Sequence, residues 1–404
     1  MMRSLFAGVS GLLTHQTRMD VIGNNIANVN TVGYKASRVT FKDMLYQTMQ
    51  AATRPTSSRG GTNPKQVGLG VQIGSIDVLH TEGNLQPTGV QTDLAIRGNG
   101  FFVLLDGSEQ LYTRAGVFDI DSEGWLVSKT SGMRVAGWMA NNGQIDPNQP
   151  VQAIQIPKNQ TLPAQATTSV VLEGNLDAGA ATGTTVQRSV TVYDSLGRQQ
   201  QVVVTFTRAA TANQWDWVAQ YGGNSVGSGS VTFDASGQYN SGSPGSVTFN
   251  PGGGASAVSF SLDFTRLTQS ADPSEVSVRS QDGFPAGTLE EIRIDGTGTV
   301  TGIFSNGLTR DLAQLALASF PNPGGLEQVG ETVFRASQNS GLVHVGTPGS
   351  GGRGIVTPGN LEMSNVNLSE EFTSMIVTQR GFQANSRIIT ASDEMLQELV
   401  NLKR

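Results

Sequence analysis

Apolar residues follow two different periods along this chain. From Met2 to Ile26 a 3-4 spacing runs through Met2, Leu5, Val9, Leu12, Gln16, Met19, Gly23 and Ile26, mostly apolar, which is the stripe of an amphipathic helix. Near the other end Leu368, Met375, Phe382, Ile389 and Leu396 recur every seventh residue, with Phe372 and Val400 on the intervening row and polar Gln379, Ser386 and Asp393 between them. Asn367 through Glu371 offers a cap and early acids, so the pattern predicts a helix from near Leu368 almost to Arg404. A second row at Ile388, Met395 and Leu402 makes the apolar face wider than one partner helix covers. That width favours packing of the terminal helices between molecules over a hairpin within one.

Between the ends the period falls to two. Val190–Asp194, Gln201–Thr207, Gln214–Gln220, Val231–Phe233, Ala257–Leu262 and Glu275–Val278 are β-rich runs separated by Gly, Ser, Asn and Pro. Tyr221–Ala255 is the most turn-rich span and reads as loops of a surface domain. Prolines at 147, 150, 157 and 163 mark one boundary and Phe284-Pro285 another. If the two helical ends associate, the regions between them are nested. The expected fold is therefore multidomain α+β, with long terminal helices pairing as coiled-coil layers and two nested mainly-β domains between them. Its parts are a terminal helical domain (1–30 and 364–404), an extended connector (31–70, including Arg54 to Gly61), an inner β domain (71–146 and 283–363) and an outer β domain (147–282).

Composition narrows the function. The 404 residues include no cysteine, so a disulfide scaffold is excluded, and only 14% are charged, with fifty glycines; about 25% charge is usual. A net charge of −6 argues against a nucleic-acid partner, which a basic face would attract. Residues 1–60 carry seven Lys or Arg against two Asp, but these are spread out and read as a solvated face. No apolar run is long enough to cross a membrane as a helix. The N-terminus lacks a signal-peptide pattern, so the chain is expected to stay in the cytoplasm or to leave by a route that keeps its N-terminus.

Catalytic motifs fail on context. Gly223-Asn-Ser-Val-Gly227 matches a nucleophile elbow on paper, but a flexible turn is the better reading, because only His344 lies downstream and the surroundings are Gly and Ser. Asp119 to Gly124 opens like a calcium loop, yet Thr130 stands where a bidentate Glu is required, so a hairpin turn is expected. Gly296 to Gly302 reads as a tight turn. His15, His80 and His344 stand singly, on a helix, in a strand and in a loop, with no second metal ligand at the right spacing. No catalytic, cofactor-binding or metal residue is therefore assigned.

The ends resemble the bacterial flagellar rod and hook proteins. Leu5-Phe-Ala-Gly-Val-Ser-Gly-Leu-Leu13 followed by Asp20 to Lys35, with Asn24, Asn25, Asn28, Gly33 and Tyr34, is similar to the family's N-terminal signature. Glu371 to Thr390, with Gln379, Arg380, Gly381 and Asn385, continuing through Asp393 to Leu402, resembles its C-terminal counterpart. Thr92 to Val103 and Tyr112 to Trp138 are similar to the family's β core. About 130 inserted β residues, with Tyr193-Asp-Ser-Leu-Gly197, favour the hook branch over the distal rod branch; a monomeric β-rich surface protein is the rival outside the family.

The resemblance implies a structural subunit, not an enzyme, that polymerises with itself into a curved, flexible tube and passes torque from motor to filament. Leu5, Val9, Leu12, Met19, Ile26, Leu368, Phe372, Met375, Phe382, Ile389, Leu396 and Val400 would then lie at subunit interfaces. Implied partners are further copies, the distal rod protein, the hook cap, the hook–filament junction proteins and the flagellar type III export apparatus, with no nucleic acid, no membrane insertion and no cofactor. The implied location is outside the cell, reached without a cleaved signal peptide, and the terminal helices would become ordered only in the polymer.

Overall fold

A computed structural model of the chain describes residues 2–55, 59–156, 161–242 and 245–401. Leu402, Arg404, Pro157 and the middle of the Arg54–Gly61 segment, on which parts of the sequence reading rest, lie outside these residues. The fold is mostly β, with one α-helix at each end, α1 (Met2–Ala27) and α2 (Leu368–Asn401). Two compact units form: one from 1–157, 293–301 and 311–404, the other from 158–292 and 302–310.

In the first unit α1 and α2 run antiparallel in the same chain, as the pairing of Gly11 with Asn385 and of Asn25 with Glu371 requires. The hairpin contact disfavoured by the sequence pattern is thus made. Its seam is not the apolar stripe. The buried line on α1 is Gly8, Gly11, Thr14, Ile22 and Asn25, and on α2 it includes Thr378 and Ser392. A Cβ on Gly11 would sit 2.6 Å from Asn385 Nδ2, and one on Gly381 2.7 Å from the His15 ring. Small residues let the two backbones approach closely, and interaxial distance depends on the side chains at the contact. The apolar row is displaced from this seam. Leu5, Leu12, Met19, Ile26, Met375, Ile389 and Leu396 are half-buried, while Val9, Leu368, Phe372, Phe382 and Val400 are exposed, together with Phe6 and Leu13.

Past α1 the stretch read as a connector carries paired strands. β1 (Ser37–Asp43) pairs antiparallel with β4 (Val71–Val78), and β2 (Tyr46–Gln50) pairs with β3 (Lys65–Gly68) as a separate ribbon. The β core of this unit gathers Phe101, Val103, Tyr112, Ala136, Trp138, Ala318, Phe320 and Phe334. The Asp119–Gly124 segment joins strands Phe118–Ile120 and Leu126–Ser128, as a hairpin turn should. Gly296 to Gly302 likewise contains the turn between Gly287–Ile294 and Thr299–Phe304. His344 lies in a short strand, not a loop, and His80 lies just beyond β4.

The second unit is a sandwich. A four-stranded sheet in the order Gly245–Phe249, Val258–Ser270, Ser169–Asp177, Glu275–Gln281 shares one core with a five-stranded meander running from Thr185–Tyr193 to Tyr239–Gly242. In chain order the first and last strands of the four-stranded sheet are Ser169–Asp177 and Glu275–Gln281, and they are hydrogen-bonded neighbours, with Val170 opposite Gln281, so the chain enters and leaves that sheet side by side. Most of Tyr221–Ala255 is strand, against the loop reading: Asn224–Phe233, Tyr239–Gly242 and Gly245–Phe249 occupy it. Its glycines serve packing as well as turns, since a Cβ on Gly227 would lie 2.8 Å from the Ser246 carbonyl oxygen.

One turn recurs in both units. Asp121, Asp194, Asp234 and Asp295 each accept hydrogen bonds at Oδ1 from the backbone N–H groups two and four residues on. The third residue on is always glycine at positive φ, where other residues pay a steric cost.

Trp217, 1% exposed, fills the sandwich core against Phe264. Trp217→Ala is expected to cost about 3–5 kcal/mol in a urea titration of this unit's near-ultraviolet circular dichroism. A loss under about 1 kcal/mol would show that the core collapses around the gap.

Candidate functional site

The most constrained chemistry in the chain lies where the terminal helices meet the β core of the first unit. Asn25 is its centre. As α1 ends, its buried amide donates from Nδ2 to the Ser37 carbonyl (2.8 Å) and to Glu371 Oε1 on α2 (2.9 Å). Its Oδ1 accepts from Ser37 N–H (2.9 Å) and the Tyr34 hydroxyl (3.1 Å). All four positions of the amide are used. Asn24 donates to the Tyr34 hydroxyl (3.2 Å), and Asn28 donates to Asn24 Oδ1 (2.9 Å). Gly33, at φ +69°, would press a Cβ to 2.6 Å from Ala115 N, and its own N–H donates to the Glu362 carbonyl. Burial raises the Tyr34 hydroxyl pKa, with the Glu371 charge adding to the effect, so Tyr34 remains a donor across neutral pH.

Beneath this lies an ion cluster. Glu362, fully buried, receives Lys35 Nζ at 2.6 Å and Arg114 Nε at 2.9 Å. Lys35 also donates to the Thr81 carbonyl, Arg114 to the Gly98 and Gly100 carbonyls, and Gly83 N–H to Glu362 Oε1. Asn365 adds a clasp, accepting from Ala36 N–H and donating to the Leu79 carbonyl. Burial pulls the Lys35 pKa down, and the Glu362 charge and hydrogen bond oppose it. His80 sits edge-on to Phe101 and Phe334. Burial first, then the Lys35 and Arg114 charges, lower its pKa to about 4.

The structure gathers Asn24, Asn25, Asn28, Gly33 and Tyr34 at this junction and spreads the C-terminal signature along α2. Gly381 faces His15 and Asn385 faces Gly11, while Gln379 and Arg380 are exposed beside Ile376, Gln383 and Arg387. Lys35 and Arg114 lay inside quoted motifs but were given no role, and Glu362 and Asn365 were missed. The available signal was rarity: in a chain with so few charges, each buried one needs a partner. No cluster of metal-ligating side chains occurs among the described residues. What the arrangement can do is mechanical: it fixes the direction in which two helices leave a β core.

Removing one member of a buried ion cluster strands the others, so Glu362→Gln is expected to cost about 3–5 kcal/mol in denaturant unfolding. The pH dependence follows from His80. Its folded pKa of about 4 lies below the ordinary 6.5, so the unfolded chain binds more protons between those values. Stability should therefore rise with pH across that window and be lost as pH falls through it. Thermal melts from pH 7 to 4 should decline less steeply for His80→Leu than for the unaltered chain.

Matches to known proteins cover most of the chain. Residues 5–35 match the family described as "Flagella basal body rod protein", 95–178 "Flagellar hook protein FlgE/F/G D1 domain", 157–284 "Flagellar basal body protein FlaE D2 domain" and 357–402 "Flagellar basal body rod FlgEFG protein C-terminal". The flagellar hook protein FlgE of Borreliella burgdorferi is 44% identical, with all of both chains covered. The flagellar basal-body rod protein FlgG of Bacillus subtilis is 34% identical, again over all of both. The crystal structure of Helicobacter pylori flagellar hook protein FlgE2 shares the fold at a TM-score of 0.53 and 15% identity, covering 69% of this chain and all of that one. With Asn24, Asn25 and Asn28 of its N-terminal signature hydrogen-bonded at one junction and its whole length matched to the Borreliella burgdorferi protein at 44% identity, this chain belongs to the bacterial flagellar hook and rod protein family.

Proposed function

We propose that this chain is a structural subunit of the flagellar hook, polymerising with copies of itself into a curved, flexible tube that passes torque from the rotary motor to the filament. The observation that carries the reading is the outward apolar face of the helix pair. Phe6 and Leu13 on α1 and Phe372, Ile376, Val377 and Val400 on α2 are each at least half exposed, beside the less exposed Val9, Leu368 and Phe382. Covering one such Phe contributes about 1.5–3 kcal/mol, and repeated head-to-tail contacts that do not close make a filament. The half-buried Leu5, Leu12, Met19, Ile26, Met375, Ile389 and Leu396 would line the same contacts from the flank, pairing helices of neighbouring copies as layers.

The domain scheme fits this use, with terminal helices inside the tube and the β domains outward, the outer one nested within the inner. Sparse charge and abundant Gly, Ser and Thr on those domains suit contacts that exchange as the tube bends. Export through the flagellar type III apparatus without a cleaved signal, and meetings with the distal rod protein, the hook cap and the junction proteins, complete the reading. A rod subunit is the second reading, favoured by the full-length similarity to the Bacillus subtilis rod protein.

Negative-stain electron microscopy of concentrated protein tests it. Curved tubes are expected, and straight rigid ones would favour the rod. Phe372→Glu with Phe382→Glu should raise the concentration needed for assembly at least about tenfold. A chain that sediments as a monomer at every concentration would sink the assembly reading.

A further inference from the structure

The ribbon of β2 and β3 is an anomaly in the first unit. Every residue of both strands is exposed. Leu45, Tyr46 and Met49 are 80%, 56% and 69% exposed, and Val67 is exposed beside them. Two strands alone are at best marginally stable in water, so a ribbon that exposes Leu45, Tyr46, Met49 and Val67 together gains from cover supplied elsewhere. The span 44–70 contains Arg54, Arg59 and Lys65 and no acid.

A complementary surface exists in the same unit. The strand Glu327–Gly330 is the terminal strand of its sheet, paired only with Val333–Arg335 among the described residues, so its outer backbone edge is open. Beside it lies a mainly apolar groove of about 510 Å³, lined by Asn28, Tyr34, Val117, Gln328, Glu331 and Val333 among others. Glu327 and Glu331 have no ion-pair partner among the described residues, and neither do Arg54 and Lys65. Glu331 and Thr332 both hold left-handed backbone, φ 51° and 60°. Two such residues in succession, one β-branched, are strained, and strain of this kind concentrates at binding clamps.

We infer that the β2–β3 ribbon of one copy docks on the Glu327–Thr332 edge and groove of a second copy. The ribbon supplies apolar side chains and positive charge, and the groove supplies an apolar floor, an open strand edge for backbone pairing and two unpaired acids. The contact rests on the self-assembly reading and deepens it, because it ties each subunit to the next through a part of the chain distinct from the helices.

The absence of native cysteine makes the test clean. Two chains, one carrying Met49→Cys and the other Gln328→Cys, are mixed, assembled and treated with a short bis-maleimide, so any cross-linked dimer joins different molecules. A dimer that forms only in the mixture supports the contact. Tubes without a dimer overturn it and leave self-assembly intact. If the unaltered chain forms no tubes, the assembly reading fails and the contact with it. A second measurement covers variants that do not assemble. Lys65→Glu alone should raise the critical concentration roughly three- to tenfold, and combining it with Glu331→Lys should restore assembly; no restoration counts against the contact.

Discussion

The first unit depends on one buried carboxylate. Glu362 compensates both Lys35 and Arg114, and through their remaining protons it fixes the carbonyls of Thr81, Gly98 and Gly100. Ions this deep gain little net stability, because desolvation offsets their attraction. Their value is specificity. The observed pairing of residues 35, 114 and 362 brings residues 24–37 beside 362–371. Asn25 then joins α1, β1 and α2 with a single amide.

The helix pair above this junction divides its labour by size. Gly8, Gly11 and Gly381 allow close approach, and buried Thr14, Thr378 and Ser392 satisfy their hydroxyls on their own helices. The large apolar residues are left on the flank and outside. A monomeric hairpin would bury its biggest side chains first, so the inversion is physically informative: the intramolecular contact uses the small residues and leaves large apolar side chains such as Phe6 and Phe372 exposed. The β2–β3 ribbon and the outer edge of Glu327–Gly330 are likewise uncovered among the described residues.

Much of this was legible in the residue order. Both helices, the sandwich strands from Val190 to Val278 and the hairpin at Asp121 follow from local periodicity and turn chemistry, which depend on neighbours within a few positions. Where it misled, the cause was also local. Tyr221–Ala255 reads as loop because glycine and serine lack strand propensity, yet Gly227 is required by a backbone packed from another strand. The pairing of α1 with α2 within one chain was disfavoured because the wide apolar face was read as needing partner molecules, and no local pattern marks Gly8, Gly11 and Thr14 as a contact line.

The sequence by itself determined the secondary structure of the ends, the β character of the middle, the lack of metal or nucleophile patterns and the family resemblance, since each is carried by residue identity and short spacing. Only the tertiary structure decided that Lys35, Arg114 and Glu362 form one cluster, that Asn25 bridges to Glu371, and which face of each helix stays open. Residues 35 and 362 are 327 positions apart, and Asn25 and Glu371 are 346 apart. No periodicity reaches that far. Such pairings arise only in the folded chain, where a charge or amide taken out of water costs free energy unless it is paired.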